Sequence, residues 1–196
     1  MKNRPAVGSG LPDAPVLIVP GIGNSGPSHW QSLWERSHPA WRRVPQRDWD
    51  RPDRDEWVAA LETAAAGCPA RPLVIAHSMG CLAVAHWGVR TSVPVRAAFL
   101  VAVPDPDGPN FPPAARGFRP IPLTRLPFPS LVVASTDDPF GSPAHARRCA
   151  AAWGGGFVEI GSVGHINVDS GHGEWPAGRQ LLEQWLHDAA PAVRPR

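Results

Sequence analysis

Residues 72–80 read Pro72-Leu73-Val74-Ile75-Ala76-His77-Ser78-Met79-Gly80, and the join inside that stretch decides the fold. Pro72 to Ala76 is a short, continuous apolar run, the pattern of a strand buried on both faces of a parallel sheet. Met79 to Val89 reads as the helix behind it. Between them, Ala76-His77-Ser78-Met79-Gly80 matches the nucleophile-elbow pattern with Ala in place of its first Gly. So tight a turn tolerates only small side chains two places before and two places after the serine, and Ala76 and Gly80 are small. The turn lifts the Ser78 hydroxyl above the sheet edge and aims the backbone N–H of Met79, at a helix start, into the space beside it. Five residues alone suit a capping serine at an ordinary helix start equally well; the strand–turn–helix setting favours the elbow.

Working outward, the chain alternates. Val16-Leu17-Ile18-Val19, ended by Pro20-Gly21, is another buried strand. Ser28 is placed to cap a helix carrying Trp30, Leu33, Trp34 and Ser37 at helical spacing, with Pro39 beyond its end. Val44 to Trp49 is a weaker strand candidate. Asp53, with Glu56 three places on, starts a helix whose apolar face is Trp57, Val58, Leu61 and Ala65 and which ends near Gly67. Val95 to Val103, Leu131 to Ser135 and Phe157 to Ile160 read as strands. Ser142-Pro143 opens a helix with Ala146, Cys149, Ala150 and Trp153 on one face, stopped by Gly154 to Gly156. Leu181, Leu182, Trp185 and Leu186 mark a last amphipathic helix.

Strands alternating with helices at these lengths predict an α/β fold with a mostly parallel central sheet and helices on both faces. Residues 1–14, polar and rich in Gly and Pro, read as a flexible lead-in to a single domain over 15–190. Residues 104–127 break the alternation: they are proline-rich, lack periodicity and form a long loop at a strand's C-terminal end, near the active site.

The 196 residues are 43% hydrophobic and 18% charged, which supplies a core and excludes a disordered chain. The net charge of +2 is small, and the arginines are scattered among Asp and Glu rather than gathered in a stripe, so no nucleic-acid groove is expected. Three cysteines, Cys68, Cys81 and Cys149, fall at unrelated spacings and suit a reducing compartment better than a disulfide framework. The basic start is followed by no apolar segment of signal-peptide length, and Val16 to Val19 is too short for a membrane span. A cytoplasmic protein with no membrane association is the expectation.

A serine hydroxyl is a weak nucleophile until a base takes its proton and a carboxylate orients that base. The strand ending near Ser135 runs into Thr136-Asp137-Asp138-Pro139-Phe140, on the loop where this architecture places its acid. Asp138, beside the proline, is preferred to Asp137, which suits a turn cap; Asp105, after the preceding strand, is a rarer alternative position. Gly164-His165 follows the last strand, where the base belongs. The chain order Ser78, Asp138, His165 is the hydrolase order. Among the other histidines, His29 and His86 read as helix positions near a pocket or the surface, His77 packs beside the serine, and His38, His145 and His187 look solvated. His165, His172 and Asp169 match no common metal-ligand spacing. Cys81, one turn into the helix, reads as a small packing residue.

The second oxyanion donor should come from Pro20-Gly21-Ile22-Gly23-Asn24, after the first strand. The N–H of Ile22 is preferred, with Gly23 as runner-up. These glycines spell neither a phosphate loop nor a dinucleotide fingerprint. Gly23, Trp30, His77 and Phe140, with Phe111 and Phe118 from the proline-rich loop, are expected around an apolar substrate pocket outside the strands' carboxyl ends.

At this point the chain resembles the small serine hydrolases of the α/β-hydrolase fold that include retinoblastoma-binding protein nine and its bacterial relatives. The resemblance spans nearly the whole length. It rests on Pro20-Gly21, Ser28-His29-Trp30 through Trp34-Glu35, Gln46-Arg47-Asp48-Trp49, His77-Ser78-Met79-Gly80, Ser135 to Phe140, Gly164-His165-Ile166-Asn167 and Glu174-Trp175-Pro176. It implies a triad of Ser78, Asp138 and His165 and esterase-type activity on small acyl esters, with no metal or organic cofactor. The Leu-x-Cys-x-Glu sequence on which the family's retinoblastoma-protein binding depends is absent here, so that partner is not expected. A thioesterase, amidase or lactonase on the same machinery, or an interaction protein with a vestigial triad, are the rival readings.

Overall fold

The computed structural model describes residues 14–189; the expected lead-in over 1–14 lies outside them except for Ala14. Six strands form one wholly parallel sheet: β1 (Val16–Val19), β2 (Arg42–Arg43), β3 (Leu73–His77), β4 (Ala97–Val101), β5 (Ser130–Ala134) and β6 (Gly156–Glu159), in the order β2-β1-β3-β4-β5-β6. Between them run α1 (Trp30–Arg36), α2 (Arg54–Ala66), α3 (Met79–Gly88) and α4 (Pro143–Trp153), and α5 (Pro176–Ala189) closes the order.

The continuous apolar runs follow from burying both faces of the sheet. Leu17 and Val19 of β1 and Val74 and Ala76 of β3 enter one core with Trp57, Leu61, Met79 and Trp153 from α2, α3 and α4. Their alternates, Val16, Ile18, Leu73 and Ile75, enter a second core with Trp30 and Trp34 from α1 and Leu182 and Leu186 from α5. Successive strand side chains point to opposite faces, so a strand with a helix layer on each side has no solvent-facing position, and the polar residues of β3 and β5, His77 and Ser130, fall at strand ends.

Capping explains where most helices begin. The Asp53 carboxylate accepts the N–H groups of Asp55 and Glu56 at the start of α2, and the Ser142 hydroxyl accepts that of His145 at the start of α4. Gly154, at φ 71°, ends α4 in the left-handed conformation that glycine adopts without steric cost. At α1 the expected cap is corrected: His29, not Ser28, is the N-cap, and its Nδ1 accepts the Gln31 N–H at 3.2 Å.

The strand expected over Val44 to Trp49 does not form. Only Arg42–Arg43 pairs with β1; the Val44 N–H adds one bond to the Ile18 carbonyl (2.9 Å), and Pro45 then has no N–H to continue the ladder. The proline-rich loop between β4 and β5 also behaves differently from expectation. Phe118, Ile121, Leu126 and Phe128 turn inward and are buried in the core on the α2 and α3 side. Among the described residues, no helix is long and apolar enough to cross a membrane.

Strand order places the functional end. The chain leaves β1 toward the β2 edge and returns to β3 on β1's other side. The carboxyl ends of β1 and β3 therefore form a switch point, with their following loops diverging around a crevice.

Candidate active site

Ser78 sits at that switch point, between β3 and α3, with φ 54° and ψ −125°. Its N–H is held by the Val101 carbonyl (2.9 Å), which ties the turn to β4. The turn is as crowded as its residues suggest: a Cβ on Gly80 would lie 2.3 Å from the Val19 carbonyl oxygen, and one on Gly21 would lie 2.9 Å from the Ser78 Cβ. Backbone from β1 thus passes directly against the serine turn, and only glycine permits that approach.

The structure brings Ser78, His165 and Asp138 together. His165 Nε2 is 2.8 Å from Ser78 Oγ, and His165 Nδ1 is 2.9 Å from both carboxylate oxygens of Asp138. Carboxylate oxygens only accept, so Nδ1 carries the proton and Nε2 is left to accept from the serine hydroxyl. The Asp138 side chain is 2% exposed and also accepts the Phe140 N–H. Asp105 is not part of this chain of bonds: its carboxylate lies 3.4 Å from His145 Nδ1. His145 itself is buried on α4, not solvated as expected.

His165 lies on a loop that crosses from the β6 edge back toward β3, and side chains from three other segments hold it. The Asp137 carboxylate accepts the Gly164 N–H (2.7 Å), the His165 carbonyl accepts from His77 Nε2 (2.9 Å), and the Ile166 carbonyl accepts from the Trp30 indole (2.9 Å). Trp30 is therefore a correction: it is buried under the site and fixes the loop, and it does not line the pocket. Phe118 packs at right angles to Trp57 in the core, and neither Phe118 nor Phe111 reaches the pocket; Pro104 and Pro112 are the members of the long loop that do.

A cavity of about 350 Å³ opens over Ser78, lined by Gly21, Ile22, Gly23, His29, His77, Met79, Phe140 and His165 and by Asn167, Val168 and Asp169. Such a volume suits a small organic ligand. Ile22 and Val168 are among the few large apolar side chains exposed on the molecule, at 37% and 44%. No lysine or arginine is among the lining residues. The Gly23 N–H is committed to the Trp49 carbonyl (3.2 Å), whereas among the described residues the N–H groups of Ile22 and Met79 have no protein acceptor.

Three imidazoles are packed here. The His77 ring centroid lies 4.8 Å from that of His29 and 4.9 Å from that of His165. Burial pushes the His77 ring well below the ordinary histidine range, and burial, Arg43 and His165 together lower His29 to about 4. Both therefore stay neutral near pH 7. The pocket position of His29 agrees with its reading as a residue near a pocket; in sequence Asn167 stands out only within the family motif, Asp169 only as a discarded metal ligand and Val168 not at all, and the three line the cavity because the His165 loop folds over it.

The family model described as serine hydrolase matches residues 16–184. The chain belongs to the serine hydrolase family. As a member of it, the protein is similar over 91% of its length to a YdeN-like hydrolase from Pectobacterium atrosepticum, at 33% identity, with 94% of that chain covered and a TM-score of 0.79. The ydeN gene product of Bacillus subtilis shares 18% identity over 89% of this serine hydrolase and 99% of its own chain, at a TM-score of 0.71. An esterase from Thermogutta terrifontis shares 16% over 89% and 90%, at 0.65. The latter two likenesses concern the α/β-hydrolase fold alone. No curated protein matches the sequence.

Proposed function

We propose that this serine hydrolase cleaves small carboxylic esters through a Ser78–His165–Asp138 triad and an acyl-enzyme. The observation that carries the reading is the unbroken line of hydrogen bonds from Asp138 through His165 to Ser78, ending in the cavity. His165 Nε2 takes the Ser78 proton as Oγ attacks the ester carbonyl carbon. The carbonyl oxygen becomes an oxyanion, which the N–H groups of Met79 and Ile22 receive; the commitment of the Gly23 N–H to Trp49 favours Ile22 over its neighbour. The imidazolium, balanced by Asp138, then gives its proton to the departing alkoxide, leaving an alcohol and the Ser78 acyl ester. Water enters, loses its proton to His165, attacks the acyl carbon, and the carboxylic acid leaves as Ser78 recovers its proton.

A cavity of this size lined by Ile22, Val168 and Phe140, and by no lysine or arginine that would receive an anionic group, supports a substrate without negative charge and of modest acyl length. We place the protein in the cytoplasm on the grounds that Cys68, Cys81 and Cys149 are all free; burial pushes the Cys149 thiol up to about 12 and the Cys81 thiol higher still, so neither is a reactive thiolate.

Nitrophenyl esters of increasing chain length, assayed beside a thioester and an anilide of the same acyl group, test the proposal. The expected result is turnover of short esters, a burst of nitrophenol at high enzyme concentration, and no turnover by Ser78→Ala. Preferred turnover of the thioester or anilide would move the assignment to another acyl hydrolase; full activity in Ser78→Ala would remove it.

A further inference from the structure

We infer that Asp137 is a positioning residue, holding His165 at its working orientation by gripping the main chain of the loop that carries it; the inference rests on the triad reading above. Asp137 and Asp138 are adjacent and take hold of one histidine from two directions. Asp138 meets the ring at Nδ1. Asp137 turns the other way: Oδ1 accepts the Gly164 N–H at 2.7 Å and the Ser135 hydroxyl at 2.7 Å, and Oδ2 accepts the Ser162 hydroxyl at 2.5 Å. Ser135 extends the same grip, its oxygen receiving the Val163 N–H at 3.0 Å. The end of β5 and residues 162–164 are thus one hydrogen-bonded unit centred on this carboxylate.

The loop needs such support. Gly164 and Ile166, on either side of His165, both have positive φ, at 60° and 51°. For a β-branched residue that region is strained, and strain of this kind persists only where surrounding bonds impose it. The Ser162 and Ser135 hydroxyls and the Gly164 N–H in turn hold the Asp137 carboxyl far below the usual carboxylate range, so these bonds stay charge-assisted through the working pH range. Asp137 is not among the cavity-lining residues, so it acts through His165 rather than on substrate. It is also exposed, so its replacement leaves both cores untouched.

Asp137→Ala and Asp137→Asn are compared with wild type in ester turnover and in the titration midpoint of the His165 ring, followed by NMR of its carbon-bound protons. Asp137→Ala should lower kcat about 10- to 100-fold with KM changed less than about twofold, and should move the midpoint. Asp137→Asn, which loses the charge but keeps an acceptor for Gly164, should recover a large part of both. Wild-type kcat in Asp137→Ala, an unmoved midpoint, or equal losses in the two variants would each overturn the inference, the last by making it an effect of charge alone. Should Asp137→Ala not fold, Ser162→Ala, which deletes the Oδ2 bond, carries the same measurements. A wild type without esterase activity would refute the triad reading, while the His165 midpoints would still show whether Asp137 holds that ring.

Discussion

His165 Nε2 stands 2.8 Å from Ser78 Oγ across 87 positions of the chain. The sheet accounts for the serine end of this contact, because β3 runs straight into the turn. The histidine end depends on a loop that leaves β6, passes β5, and is bonded to Asp137, His77 and Trp30 on the way.

The serine turn should cost stability. At φ 54° and ψ −125°, Ser78 is in a region that a side chain disfavours and glycine tolerates. Ser78→Gly and Ser78→Ala both lose the hydroxyl and should both be inactive. Glycine is normally the less stable of that pair; here Ser78→Gly should exceed Ser78→Ala by about 1 kcal/mol in urea unfolding.

Asp138→Asn should keep the fold and lose the chemistry. An amide can donate to Nδ1, which would move the ring proton to Nε2 and leave nothing to accept from Ser78. A fall in kcat of about 10⁴-fold at nearly constant KM is expected, measured on the best nitrophenyl ester.

Gly80→Ala should be among the most damaging single-methyl changes in the molecule. The added carbon would sit 2.3 Å from the Val19 carbonyl oxygen, at the end of β1, and 2.7 Å from that of Pro20, and both are backbone atoms that cannot swing aside. A loss of about 3 kcal/mol is expected. Gly26→Ala, whose Cβ meets nothing within 4 Å, is the control and should change stability by less than about 0.5 kcal/mol.

Mild acid should destabilise the protein through its buried histidines. His29 is lowered from 6.5 to about 4, and His77 is lowered well below the ordinary value, both chiefly by burial. Between those limits the unfolded chain binds protons that the folded one refuses, so unfolding free energy rises with pH. The contribution is complete above 6.5 and is lost as pH falls toward 4. His29 alone supplies a slope of up to about 1.4 kcal/mol per pH unit, and the unfolding free energies of wild type and His29→Gln, taken from urea titrations across this window, should differ in pH dependence by that slope.

Much of this architecture was legible in the chain because its signals are local. Buried parallel strands leave unbroken apolar runs such as Val16 to Val19, and the Ser78 turn demands small neighbours whatever lies around it. What could not be read depends on distant partners. β2 is two arginines stopped by a proline, with no apolar pattern to find. Trp30 and Phe118 look alike as aromatics in sequence and both fill cores, yet only Trp30 also braces the His165 loop. Asp137 reads as a turn cap until Ser162 and Gly164 are seen folded onto it.

The central claim is that Ser78 is activated by His165. Its most direct test is reaction of the folded protein with a fluorophosphonate, followed by mass spectrometry of the proteolytic peptides. The account predicts a single phosphonyl adduct on Ser78, absent from Ser78→Ala and formed far more slowly in His165→Ala. A folded wild type that forms no adduct, or a His165→Ala variant labelled as fast as wild type, would contradict it.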